Sequence, residues 1–145
     1  MRRVVVTGFG IVSCLGNDVR DVADALRHGR SGIGFVEDWK ALGFRSALAG
    51  RIRNLNPPDI PKRNLRQMGL TSHFAVHAAH QAIADAKLES EQIKSDRTAI
   101  IIGCAGNFQD VYQQCHMFRD EKLKLGGTAL QRVIADSTSA NLPAA

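Results

Sequence analysis

The sequence predicts an α/β fold, a sheet covered by helices, and three observations carry that expectation. The first is Val4-Val5-Val6, a continuous β-branched run of the kind that fills a strand buried on both faces, which runs straight into the glycine-rich bend Thr7-Gly8-Phe9-Gly10. The second is Thr98 to Ile102, another fully apolar run, which ends in a second glycine-rich bend, Gly103-Cys104-Ala105-Gly106-Asn107. The third is the helical periodicity between and after them. Buried strands that end in glycine bends and feed helices build open sheets, whose carboxyl ends are where ligands sit.

Taken in order, the opening strand gives way to a helix predicted from Asp18 to His28. Asn17 is the expected N-cap, and Asp18 and Asp21 sit in the first turn, where the helix dipole favours acids. Val19, Val22, Ala23 and Leu26 recur at helical spacing, and Gly29 offers the left-handed stop. Arg30 to Phe35 reads as a loop. Trp39, Leu42 and Phe44 read as a surface segment that packs back on the core. Ser46 to Ile52 is a short strand, with Leu48, Gly50 and Ile52 on one parity. Asn54 to Pro61 holds three of the four prolines and is an irregular connection.

The longest helical pattern runs from about Asn64 to Leu88. Its stripe of Met68, Ser72, Ala75, Ala79, Ala82 and Ala86 consists mostly of small residues, which allow a close approach to a neighbouring element. Ser90 to Lys94 is a short helical turn, and Phe108 to Leu125 is a further helix with Val111, Tyr112, Cys115 and Phe118 on its apolar face. Thr128 to Ile134 is another helical turn, and Ser137 to Ala145 reads as the start of a helix.

Composition narrows the function classes. With 44% hydrophobic and 23% charged residues the chain is of the globular kind, and 145 residues suffice for one ordinary core. The N-terminus imitates a secretory signal, since Met1-Arg2-Arg3 precedes an apolar run. Thr7, Gly8 and Gly10 interrupt that run, and no small-residue cleavage site follows. No stretch approaches the roughly 20 apolar residues of a membrane span. Cys14, Cys104 and Cys115 lack metal-site spacing and read as reduced thiols, so the expected location is cytoplasmic, without a membrane. The 19 basic residues outnumber the 14 acidic ones, and Arg45, Arg51, Arg53, Lys62, Arg63 and Arg66 crowd one span, which suits an acidic or phosphate-bearing partner as well as a merely solvated face. Nucleic acid is not expected, because no aromatic residues interleave with these charges.

Several chemistries fit poorly. Gly8-Phe9-Gly10-Ile11-Val12-Ser13 is a partial dinucleotide fingerprint whose third glycine is serine, with no acidic residue closing a second strand about twenty residues on. His73, His77 and His80 share one helix at i, i+4 and i+7, but Phe74 stands where a zinc-protease motif needs glutamate, so no metal is expected. Cys14 near a helix start and Cys104 after a strand are posed suggestively for nucleophilic work. Neither has a partner base in the sequence, and small space-filling cysteines are the plainer reading.

Four blocks, taken together, carry a resemblance. V-V-V-T-G-F-G-I-V-S-C-L-G from Val4, L-R-H-G-R-S-G-I from Leu26, Q-A-I-A-D-A-K-L from Gln81 and T-A-I-I-I-G-C-A-G from Thr98 resemble, in order and spacing, the N-terminal blocks of the β-ketoacyl-acyl carrier protein synthases. Phe35 to Gly50, with Trp39, Arg45-Ser46 and Gly50, is most similar to the type I elongating branch. The resemblance implies a thiolase-like fold, here an incomplete N-terminal half with a mixed sheet packed by helices, with residues 1–145 forming a synthase domain truncated before the nucleophile block. It also implies decarboxylative Claisen condensation in fatty acid or polyketide synthesis, with an acyl carrier protein as partner, a homodimer in the intact family, and no cofactor.

The family's nucleophilic cysteine, two histidines and lysine lie beyond this sequence, so no catalytic residue is expected within it and the chain alone is expected to be inactive. Gly106 and Phe108 match the family segment that lines the acyl pocket and are the expected substrate contacts. A non-catalytic subunit of the chain-length-factor type is the main alternative, and a small Rossmann-like nucleotide binder is the other.

Overall fold

The structure is a computed structural model in which residues 3–56, 59–65 and 68–103 are described. The chain divides into two compact units, Met1–Asn56 with His77–Leu88, and Pro57–Val76 with Glu89–Ala145.

In the first unit, an extended N-terminal arm leads through a tight turn into α1, Val19–Arg27. In the turn, the Ser13 N–H donates to the Gly16 carbonyl at 2.9 Å, and the Leu15 N–H donates to Ser13 Oγ at 3.2 Å. α1 forms for local reasons. Asp18 Oδ1 accepts from the Asp21 N–H at 2.8 Å, Asp21 and Arg27 complement the dipole at its two ends, and Gly29 takes the left-handed conformation at φ 61°. The cap is therefore Asp18, one residue later than the expected Asn17. The Asn17 side chain is engaged elsewhere, its Nδ2 donating to the Arg53 carbonyl at 2.7 Å.

β1, Ile33–Phe35, pairs antiparallel with β2, Leu48–Gly50, with Ile33 opposite Gly50 and Phe35 opposite Leu48. The expected loop at Arg30 to Phe35 is thus partly a strand. Three residues with a central glycine carry no readable periodicity, and it is the ladder to β2 that makes them a strand. Between the strands lies α2, Glu37–Ala41, whose Trp39 stacks with Phe44 at a ring-centroid distance of 5.7 Å. Trp39, Leu42 and Phe44 do belong to a surface segment, but Leu42 and Phe44 stay well exposed rather than packing back on the core. The buried side chains of this unit are Val22 and Ala25 of α1 and Val36 at the end of β1.

The expected helix from Asn64 to Leu88 is two helices, α3, Lys62–Leu65, and α4, Leu70–Asp85. The apolar stripe continues through Met68, but Met68 and Gly69 are not helical. In the second unit, Met68 and Val76 are buried together, with Ile60 and Ala75 packed against them. α5, Ser90–Ile93, is the expected helical turn, with the Glu89 N–H donating to Gln92 Oε1 at 2.9 Å.

Two expected strands differ in the structure. Val4, Val5 and Val6 are 91%, 63% and 72% exposed and belong to no strand. Thr98 to Ile102 is likewise non-strand, with Ile101 95% exposed. A β-branched run is buried only where neighbouring strands complete a ladder beside it, and among the described residues the β1–β2 pair is the ladder that forms. The helix expected over Phe108 to Leu125 and the segments after it lie outside the described residues.

Candidate functional site

The glycine-rich bend lies directly against α4. A Cβ added at Gly8 would collide with the Ala82 carbonyl oxygen and lie 2.7 Å from the Ala86 nitrogen. One added at Gly10 would collide with the Ala78 carbonyl and lie 2.9 Å from the Ala82 nitrogen. These obstacles are helix backbone, so only glycine permits the approach. Small residues allow it from the other side, since Ala82 and Ala86 of the expected stripe, and Ala78 outside it, carry no more than a methyl group.

Polar side chains of α4 then satisfy the arm's backbone. The Phe9 N–H donates to Asp85 Oδ2 at 2.9 Å, and the Ile11 N–H donates to Gln81 Oε1 at 3.1 Å. Alternate N–H groups of an extended segment point the same way, and residues four apart on a helix share a face, so the 9/11 and 81/85 spacings match. Gln81 also donates from Nε2 to the Asn17 carbonyl at 2.6 Å. With the Asn17 bond to Arg53, one chain of hydrogen bonds ties α4, the arm, the start of α1 and the segment after β2.

Gly8 and Gly10, which suggested a pyrophosphate cradle, are therefore turned to α4, and the N-terminus of α1 is capped by the Asp18 carboxylate. Beside them is an open cavity of about 330 Å³ lined by Phe9, Asp18, Val19, Arg20, Gln81, Ala84 and Asp85. Among the described residues no thiol, hydroxyl or imidazole lines it, and its ionisable groups are Asp18, Arg20 and Asp85.

Cys14 is a free, half-buried thiol. Its Sγ lies 2.7 Å from where a Gly32 Cβ would be and 2.9 Å from where a Gly50 Cβ would be. It fills the room left by two glycines at the end of the β1–β2 ribbon, the space-filling role expected of such a cysteine. Of the three histidines of α4, His77 Nε2 donates to the Asn56 carbonyl at 2.6 Å, a structural tie. Among the described residues no group of three or more His, Cys, Asp or Glu side chains is placed to hold a metal ion. Arg45, Arg51 and Arg53 are exposed in the first unit, and Lys62 and Arg63 are exposed in the second. Gly106 and Phe108, the expected acyl contacts, and Cys104, Cys115 and Arg66 lie outside the described residues. Among the described residues no helix is long and apolar enough to cross a membrane.

Gln81 and Asp85 belong to the block Gln81 to Leu88 that carries the resemblance, but the sequence alone gives neither a role in holding the bend. The signal is two polar residues at i, i+4, interleaved with Ala78, Ala82, Ala84 and Ala86 at the carboxyl-terminal end of the helix pattern.

The comparisons agree with this architecture. Residues 1–143 match the family model for the β-ketoacyl synthase N-terminal domain. A 3-oxoacyl-[acyl-carrier-protein] synthase 1 of Haemophilus influenzae is 36% identical over 146 residues, covering 98% of this chain and 36% of the relative. The synthase 1 of Escherichia coli K12 is 39% identical over 107 residues, covering 73% of this chain and 26% of the relative. In solved structures, a β-ketoacyl synthase from Burkholderia phymatum superposes with a TM-score of 0.78 at 28% identity, covering 98% of this chain and 36% of that one. The ishigamide ketosynthase/chain length factor superposes with a TM-score of 0.77 at 27% identity, covering 91% and 34%. The backbone thus has the thiolase-like arrangement of the ketosynthases, as a partial α/β structure, and the chain covers between 26% and 36% of the length of these relatives.

Proposed function

This chain belongs to the β-ketoacyl synthase family through its N-terminal domain, and on that premise we propose that it is scaffold from a 3-oxoacyl-[acyl-carrier-protein] synthase of fatty acid or polyketide synthesis. In the reaction so served, an acyl group passes from a carrier thioester to an enzyme thiol. Loss of CO2 from a malonyl thioester leaves an enolate, and its carbon attacks the enzyme-bound acyl group to give the 3-oxoacyl thioester and free the thiol. Such chemistry needs a thiolate of lowered pKa and donors for the oxyanion. The described residues contain one thiol, Cys14, whose Sγ lies beside Gly32 and Gly50.

Residues 1–145 in this reading form a synthase N-terminal domain without the nucleophile block and do not condense by themselves. The observation that supports it most is a family-model match over residues 1–143, joined to a backbone that superposes on a ketosynthase over 98% of its length. An acyl carrier protein is the proposed partner and the cytoplasm the proposed location. A homodimer is the proposed assembly of the whole enzyme, and Gly106 and Phe108 remain the proposed acyl contacts. The basic residues between Arg45 and Arg66 suit an acidic carrier.

The test is to incubate the 145-residue chain with an acyl-carrier thioester and malonyl-carrier protein and to follow both thiol acylation and chain extension by mass spectrometry. The expected result is no extended product. Acylation of Cys14, Cys104 or Cys115 followed by extension would overturn the reading. A second reading, a non-catalytic subunit that pairs with a complete synthase, is favoured by the likeness to a ketosynthase/chain length factor. Co-expression with a complete synthase separates the two. A stoichiometric mixed complex supports the subunit reading, and purification of the two chains apart argues against it.

A further inference from the structure

We draw no further inference here: the strongest candidate, the exposed apolar face of the β1–β2 ribbon formed by Ile33, Phe35 and Leu48 beside the Trp39–Phe44 stack, carries nothing because nothing in the structure shows what covers it.

Discussion

The N-terminal arm contains two short stretches of opposite character. Phe9 to Gly16 is fastened to α4 by two backbone-to-side-chain hydrogen bonds and closed by its own turn, and the glycines at its start admit the helix backbone. Val4 to Val6, two residues before it, is the more hydrophobic and has the stronger strand propensity, yet it stands exposed. The difference teaches that hydrophobicity locates a strand only when its partners are at hand, whereas a glycine approach and a matched pair of polar side chains can fix a segment with one helix.

That contrast predicts a graded response to substitution, readable as shifts in urea unfolding. Gly10→Ala has the largest expected effect, a loss of about 3 kcal/mol, because the new methyl meets helix backbone that cannot turn aside. Gln81→Ala comes next. It leaves the Ile11 N–H and the Asn17 carbonyl without their partner at half-buried positions, at a cost of about 2 kcal/mol.

Gly43→Ala is the control that separates a clash from backbone strain. Gly43 has φ 78° with open space around it, so alanine costs about 1 kcal/mol from conformation alone. A Gly10→Ala effect no larger than that of Gly43→Ala would mean that α4 does not press on the bend. Val5→Thr is the smallest, within about 0.5 kcal/mol, since an exposed side chain has little packing to lose. A Val5→Thr loss comparable with that of Gln81→Ala would reverse the contrast.

These two stretches also mark what could be read from residues alone. α1 was legible to within a residue at each end, because its signals, Asp21, the apolar spacing and Gly29, are local. Its cap is Asp18 and not the expected Asn17, whose Nδ2 makes a non-local bond to the Arg53 carbonyl. The small stripe of α4 announced a close approach, and Gly8 and Gly10 announced a place where something comes close. That each was the other's partner depends on contacts across roughly seventy positions in the sequence, which no local window holds. β1 was hidden for the same reason, since its identity rests on its pairing with β2. Val4–Val6 and Thr98–Ile102 show the converse: the β-branched and apolar pattern that predicts buried strands is met by exposed, non-strand segments, because no neighbouring strand pairs with them among the described residues. Family membership was legible because four blocks in register constrain the chain more than any one element does, while the proposed acyl contacts, Gly106 and Phe108, fall outside the described residues.

Hydrogen exchange across the arm, resolved to single amides by NMR, tests the contrast at its source. The Phe9 and Ile11 amides should exchange slowly, held by Asp85 and Gln81, while those of Val5 and Val6 exchange at the rate of an open chain. Slow exchange at Val5 and Val6 together with fast exchange at Phe9 and Ile11 would contradict the account, because the arm would then be held by a sheet and not by α4.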